Sequence, residues 1–325
     1  MTTTMTPGVR LSALPPAAGR AGLRGALASE FTKLRSVRST YWTLAALLVV
    51  SIGLDGAITA GQAAQFNNAP WNEAGFDATQ TSLGAFFELG QLIIAILGAM
   101  VITSEYSTGM IRTSLTAQPR RGVVYAAKAI VFASVTLVVS LVTSFIAFFL
   151  GQAVVGHGVS ASLFHTVKIH ANSAVNCAGA VQVPDGKGGP GGGPAACAHQ
   201  VVTFSGIDVI TPGAVLAAII GTALFVTIVA LIAYGVGSIV RHTAGAIAIV
   251  IALMFIIPIL ENALPSNWHN DMMRFLPDAA NQVVSVTVGG PVQHVWSAWP
   301  QLGVTALWAV VLVGIGAYLF RKRDA

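Results

Sequence analysis

The chain has 325 residues, of which 54% are hydrophobic and 9% are charged, and its mean hydropathy is +0.74. An average soluble domain carries about 25% charged residues, because its surface must face water. This composition excludes a soluble globule and indicates an integral membrane protein.

Six stretches of the chain are long and apolar enough to span a bilayer. A spanning helix needs roughly 20 apolar residues, because the hydrocarbon core is about 30 Å thick and each residue adds about 1.5 Å. We therefore predict an all-α integral membrane protein with six transmembrane helices, at about 41–60, 83–103, 127–155, 213–240, 244–260 and 301–320. Residues 1–22 are predicted to be a disordered tail, and 23–325 a single transmembrane domain.

Lysine and arginine are distributed unevenly among the predicted loops. Six precede the first span, four lie around the second-to-third connection, one separates the fourth and fifth spans, and three follow the sixth, which makes fourteen of the 17. Because cytoplasmic loops carry an excess of Lys and Arg, both termini are predicted to be cytoplasmic. The net charge of +5 is attributed to this topology, and nucleic-acid binding is not predicted. The high Ala, Gly and Val content favours a multi-pass protein of a bacterial cytoplasmic membrane.

The segment before the first span, LRGALASEFTKLRSVRSTYW, has the pattern of an amphipathic helix. Its apolar residues recur every three or four positions, at Leu23, Leu27, Phe31, Leu34, Val37 and Tyr41. The other faces carry charged residues, namely Arg24, Glu30, Lys33, Arg35 and Arg38. A basic amphipathic helix of this kind lies in the membrane interface, with its cations near anionic lipid headgroups. A simple positive flank that sets the topology is the alternative.

Acidic residues are costly within a membrane, so those in or near the spans are candidate functional residues. Glu88 lies early in the second span, and Gln91 follows three residues later, on the same face of a regular helix. This pair is a candidate for lining a substrate path. Asp55 and Glu261 lie towards the outer ends of their spans, where interfacial positions are expected.

The connection between the second and third spans contains SEYSTGMIRTSLTAQPRR and runs from 104 to 126. A simple reversal needs only about 4–6 residues. We predict a short helix across the cytoplasmic surface, with Gly109 loosening the turn and Pro119 stopping the helix. One face would contact the membrane domain and the other would be available to a partner. An extended but idle loop is the alternative.

A long extracytoplasmic loop is predicted at 156–211, where VPDGKGGPGGGPAACAHQ is too rich in Gly and Pro for a packed element. Both cysteines of the chain, Cys177 and Cys197, flank the glycine run. An even pair outside the cytoplasm suggests a disulfide, with two free thiols as the alternative. Six of the seven histidines are also extracytoplasmic, but they lack metal-ligand spacing, so no metal site is predicted. Residues 262–300 are predicted to form short helices at the outer interface.

The run Glu105–x₃–Gly109, followed by Leu115, Pro119, Arg121 and Lys128, resembles the cytoplasmic loop of ABC transporter permeases of the second export type. The order of elements is similar to that family as well. It comprises an interfacial SEFTKLRS helix, six spans, a coupling loop after the second span and a broken outer segment before the sixth. The glycine-rich outer loop departs from the compact form expected for the family.

The resemblance implies the permease subunit of an ABC exporter, which moves a substrate with ATP hydrolysed by a separate subunit. It implies that Glu105 holds the coupling helix against the interfacial helix or the ATPase, and that Gly109 permits close backbone approach. Apolar contact and charge complementarity are implied for further residues, namely Met110, Ile111, Leu115, Arg112 and Arg121. The implied partners are a cytoplasmic ABC ATPase, a second permease copy in a homodimer or heterodimer, and membrane lipids.

The phosphate-binding motif GxxxxGK[ST] does not occur in the sequence. ATP and Mg²⁺ are therefore expected on the partner subunit, and no cofactor is expected on this chain. The predicted spans contain no nucleophile–base pair, so the chain is not predicted to be an enzyme. Two other functions remain open. One is an ion-coupled secondary transporter, which would have related halves and mid-membrane charges, and the other is a non-transporting anchor or sensor subunit of an envelope complex.

Overall fold

A computed structural model describes residues 22–36, 38–68, 82–84, 86–117, 120–155, 212–261 and 298–322, with scattered residues between 263 and 277. Its helices are α1 (Leu23–Ser36), α2 (Arg38–Asn68), α3 (Gln91–Ser107), α4 (Met110–Ala117), α5 (Arg121–Val155), α6 (Pro212–Val240), α7 (Thr243–Ile251), α8 (Ile257–Glu261) and α9 (Ala298–Lys322). Two π-helical turns extend this set. Phe86–Gly90 leads into α3, and Ala252–Ile256 joins α7 to α8.

Within these residues, six helical segments are long and apolar enough to cross a membrane. They are Thr40–Gly61, Ser82–Ser107, Arg121–Val154, Val215–Val240, Thr243–Leu260 and Ala298–Lys322. The prediction of an all-α membrane protein with six transmembrane helices is confirmed. The predicted N-terminal tail and the loop at 156–211, with Cys177 and Cys197, lie outside the described residues.

Helix α6 is central to the bundle and packs against α3, α5, α7 and α9. Glycines bring α3 and α6 close together. A methyl group on Gly98 would lie 2.6 Å from the carbonyl oxygen of Ala230, and one on Gly237 would lie 2.9 Å from that of Ala99. Lipid gives membrane helices little hydrophobic reason to associate, so close backbone packing of this kind supplies much of the attraction.

The segments predicted to be cytoplasmic meet at one end of the bundle. Helix α1 packs against α5, and α4 packs between the end of α3 and the start of α5. The last turn of α9 reaches the same place, because a methyl group on Gly122 would lie 2.6 Å from the guanidinium of Arg321. These segments therefore share one membrane face, as the Lys and Arg distribution predicts.

At the opposite end, a stretch of non-helical chain lies along α9. Three α9 side chains donate hydrogen bonds to consecutive carbonyls, with Gln301 to Leu276 at 3.3 Å, Thr305 to Pro277 at 3.4 Å and Trp308 to Phe275 at 2.7 Å. The donors span about 10 Å of helix. Carbonyl groups at membrane depth need protein partners, and α9 supplies them.

The connection after the second span is shorter than predicted. Helix α3 continues to Ser107 and α5 begins at Arg121, so the connection covers 108–120 instead of 104–126. Glu105, which the prediction placed in the connection, forms an ion pair with Lys128. Because their charges are neutralised inside the bundle, both helices continue through them.

Candidate functional site

Two glutamates and two lysines form a cluster at the end of the bundle where α1 and α4 lie, and all but Lys33 are buried. Glu30 and Lys33 belong to α1, Glu105 to α3 and Lys128 to α5. Lys128 Nζ lies 2.6 Å from Glu30 Oε2 and 2.7 Å from Glu105 Oε1. Lys33 Nζ lies 2.7 Å from Glu30 Oε1 and 3.4 Å from Glu105 Oε1. These four residues, whose charges cancel, are the ion-pair cluster.

The ion-pair cluster is largely removed from water, with exposed fractions of 3% for Glu30 and 7% for both Glu105 and Lys128. Burial by itself would raise the pKa of Glu30, but the charge and hydrogen bond of Lys128, together with those of Lys33, outweigh it and lower this pKa. Burial also opposes the charge of Lys33, but its hydrogen bond to Glu30 and the charge of Glu105 raise its pKa. Glu30 and Lys33 therefore stay ionised near neutral pH.

Helix α1 presents a different side to the protein from the one expected. Ala26 and Glu30 are buried, whereas Leu23 and Phe31 are 45% and 51% exposed. Lys33, one of the cations expected near lipid headgroups, instead forms ion pairs with Glu30 of α1 and Glu105 of α3. The other residues of the predicted interfacial set are half-buried or exposed, namely Leu34 and Arg35. The exposed apolar residues, Leu23 and Phe31, are the ones available for the predicted contact with lipid.

Helix α4 is joined to the ion-pair cluster by a hydrogen bond from Lys33 Nζ to Ser114 Oγ at 2.9 Å. Gly109 lies between α3 and α4 and has φ +71°, in the left-handed region that favours glycine. A methyl group there would meet no atom of the described chain within 4 Å. The role of Gly109 within this chain is therefore to reverse the backbone, rather than to admit a close neighbour.

The residues of α4 are divided between an inner and an outer face. Ile111 is 4% exposed and belongs to the hydrophobic core, and Leu115 packs against that core. The resemblance implied that Ile111 contacts a partner. This prediction is wrong, because Ile111 is buried in the core of the chain itself. Met110 is 48% exposed and Arg112 is also exposed, so they lie on the outer face. Arg121 is half-buried at the start of α5.

A second set of contacts holds the last turns of α3 from the side of α6 and α7. The guanidinium carbon of Arg241 lies 4.8 Å from the ring centre of Tyr106. Thr243 Oγ1 donates a hydrogen bond to Thr103 Oγ1 at 3.0 Å. Arg241 has φ +61°, a conformation that is costly for a residue with a side chain. The end of α3 is therefore held on two sides.

The region that contains the ion-pair cluster and α4 matches a known protein family. Residues 26–181 match the family model described as ABC-2 family transporter protein. The match covers just under half of the chain and supports an ABC-2 type transporter membrane subunit. Together with the six candidate membrane-spanning helices, it supports a multi-pass membrane permease subunit. No curated protein matches the chain.

The polar residues predicted near the outer ends of the spans have separate environments in the structure. Glu88 lies in a π-helical turn and is exposed, whereas Gln91 begins α3 and is 4% exposed. The wider turn changes the register, so the two side chains do not share one face. Asp55 was expected at the interface but is completely buried, and both of its carboxylate oxygens accept from Phe86 N at 3.1 Å. The side chain of Glu261 lies outside the described residues.

Sequence reasoning named Lys128 in the family resemblance but gave it no role, and it missed three other residues of the site, namely Ser114, Arg241 and Tyr106. A signal for Lys128 was present, because it falls within the predicted span 127–155 and a lysine there requires a buried acidic partner. Arg241 and Tyr106 carried no comparable signal, since both belong to ordinary membrane flanks. Their contact depends on how α3 and α6 pack.

Proposed function

We propose that this permease is the membrane-spanning subunit of an ABC exporter and that the outer face of α4 docks on a separate ATP-hydrolysing subunit. The hydrogen bond between Lys33 and Ser114 carries this proposal. It joins the helix with the exposed outer face to the ion-pair cluster, which connects α1, α3 and α5. A displacement of α4 would therefore reach three helices at once.

In this mechanism, ATP and Mg²⁺ are bound by the partner, since the chain itself lacks GxxxxGK[ST]. ATP binding brings two ATPase subunits together and displaces two α4 helices. The paired membrane subunits, either two copies of this chain or this chain with a similar one, then change from an inward-facing to an outward-facing state. The membrane is the bacterial cytoplasmic membrane, with both termini in the cytoplasm and α1 at the inner leaflet.

Site-specific photo-cross-linking tests the docking. A photoreactive residue in place of Arg112, on the outer face of α4, is expected to form an adduct with a protein that carries GxxxxGK[ST]. The matched control is the same residue in place of Trp299, which is 52% exposed at the opposite end of the bundle. An ATPase adduct from both positions, or from neither, would exclude docking at α4.

The coupling step is tested on the purified complex. Gly109→Trp is expected to remove most of the ATPase subunit from the complex, because a bulky residue strains the left-handed turn and displaces α4. Gly303→Trp, which changes a position of α9 with open space around it, is the control. Retention of the ATPase by both variants would contradict the proposed contact.

Orientation is tested by labelling with a membrane-impermeant thiol reagent. In a Cys177→Ser/Cys197→Ser background, Thr113→Cys is expected to be protected in intact cells and labelled in inside-out vesicles. Labelling from outside intact cells would place α4 on the wrong side of the membrane for an ATPase partner.

A further inference from the structure

A cavity of about 270 Å³ lies between α1, α2, α3 and α4 and ends at the ion-pair cluster. This volume is at the small end of the range for ligand pockets, about 300–1,000 Å³. On the α3 side, the wall that leads away from the cluster is apolar and includes Leu97, Met100 and Val101. Leu97 and Glu105 are about 12 Å apart along the helix axis. The cavity therefore has a charged end and an apolar end.

The apolar end of the cavity borders the surface that faces lipid. Met100 is 38% exposed and lies within the membrane-spanning segment Ser82–Ser107. Methionine side chains are flexible and adapt to irregular apolar partners. A molecule with a hydrocarbon chain can therefore enter from the leaflet on this side.

The charged end of the cavity has one unused hydrogen-bond acceptor. Both lysine contacts of Glu105 are made through Oε1, and its Oε2 is buried without a hydrogen-bond partner in the described part of the chain. Buried polar atoms are normally paired with protein, water or ligand. Glu105 Oε2 can therefore accept a hydrogen bond from a ligand that carries a donor. Because the four charges of the ion-pair cluster cancel, a ligand without net charge adds no uncompensated charge there.

We propose that this cavity binds a phospholipid of the cytoplasmic leaflet with an ethanolamine headgroup. The ammonium group donates to Glu105, the phosphate lies near Lys33 and Lys128, and the first part of one acyl chain runs along Leu97 and Met100. An anionic headgroup would add an uncompensated charge beside a cluster whose own charges cancel. The inference goes beyond the proposed function and needs neither ATP nor a partner subunit.

Native mass spectrometry of the full chain tests this proposal. The purified protein is exchanged into mixed micelles with equal amounts of phosphatidylethanolamine, phosphatidylcholine and phosphatidylglycerol. Phosphatidylethanolamine is expected to be retained about tenfold more than phosphatidylcholine, because choline has the same charge but no N–H donor. Met100→Trp is expected to remove this preference by filling the cavity. Val138→Trp, at a position of α5 that is 61% exposed, is expected to keep it.

Each other result overturns the proposal. Equal retention of the ethanolamine and choline lipids, or preference for the glycerol lipid, would contradict the headgroup assignment. An undiminished preference in Met100→Trp would place the lipid elsewhere. The headgroup comparison uses the unaltered chain and so does not depend on how a variant folds. It can also fail or succeed independently of cross-linking between α4 and an ATPase.

Discussion

Lys128 of α5 and Glu30 of α1 form an ion pair of 2.6 Å although 98 residues separate them in the chain. This contact fixes the N-terminal helix to the third span and determines which side of α1 faces the protein. Both side chains are almost completely buried. Removing one member of such a pair leaves an uncompensated charge in the interior, which is costly.

We expect Lys128→Met to destabilise the protein by about 3–5 kcal/mol, because two buried carboxylates would then share only Lys33. The free energy of unfolding in detergent, measured with denaturant, checks this value. Lys128→Met/Glu105→Gln is expected to recover part of the loss, since Glu30 and Lys33 can then neutralise each other. Lys322→Met, at an exposed position, is the control. If Lys128→Met were as stable as Lys322→Met, the ion-pair cluster would be dispensable for stability.

The pKa shifts of Glu30 and Lys33 predict the pH range over which these two residues stabilise the folded protein. The folded-state pKa of Glu30 is lowered, so its contribution is fully present above the unfolded pKa of about 4.3 and is lost as pH falls through the folded value. The pKa of Lys33 is raised, so its contribution is fully present below about 10.4 and is lost as pH rises through the folded value. The stability difference between the unaltered protein and Glu30→Gln/Lys33→Met should therefore be constant between about pH 5 and 10.

Thermal unfolding of both proteins across the pH scale checks this range. The difference is expected to shrink at more acidic and more alkaline pH. A difference that changes between about pH 6 and 8 would mean that another group controls it.

Arg241→Gly should be more stable than Arg241→Ala by about 1 kcal/mol. Both variants lose the guanidinium above Tyr106, but only glycine adopts φ +61° without strain. The matched control is Ser134, which is exposed within α5 and where glycine should be the less stable residue by about 1 kcal/mol. The test compares the unfolding temperatures of the glycine and alanine variants at both positions, where the order of stability is expected to be opposite. The same order at both positions would contradict a left-handed conformation at Arg241.

Gly316→Ala should destabilise the protein by about 1–3 kcal/mol through overpacking. A methyl group at this position of α9 would overlap Ser238 Oγ and lie 2.5 Å from Tyr125 Oη, and these two hydroxyls are hydrogen-bonded to each other at 3.1 Å. Gly314→Ala, where the new methyl group meets no described atom within 4 Å, should be neutral or slightly stabilising. Resistance to unfolding in sodium dodecyl sulfate compares the two. Similar losses in both variants would indicate a general cost of alanine in α9.

Span positions could be predicted because membrane insertion depends on local apolar content. The fourth span was predicted at 213–240 and is part of helix Pro212–Val240. The start of the third span was placed too late because Arg121 was treated as a loop cation, whereas α5 begins at this residue. Local composition cannot show that a charge is neutralised by a residue from a distant segment.

Among the candidate site residues, Glu105 and Gly109 were identified through the family resemblance, but the ionic partners of Glu105 were not. The pairing of Glu88 with Gln91 failed because a π-helical turn changes the spacing of side chains. Ile111 was assigned to a partner because its apolar character alone does not show which side of α4 faces the core.

The amino-acid sequence by itself determined the all-α class, the six membrane-spanning segments and the short helix after the second one. These features depend on transfer of consecutive apolar residues into lipid and on local helix-breaking residues. Only the tertiary structure decided that Glu30, Lys33, Glu105 and Lys128 meet, and that a cavity opens beside them. Ion pairs act over a few ångströms, so the packing of distant helices determines whether four such charges neutralise one another.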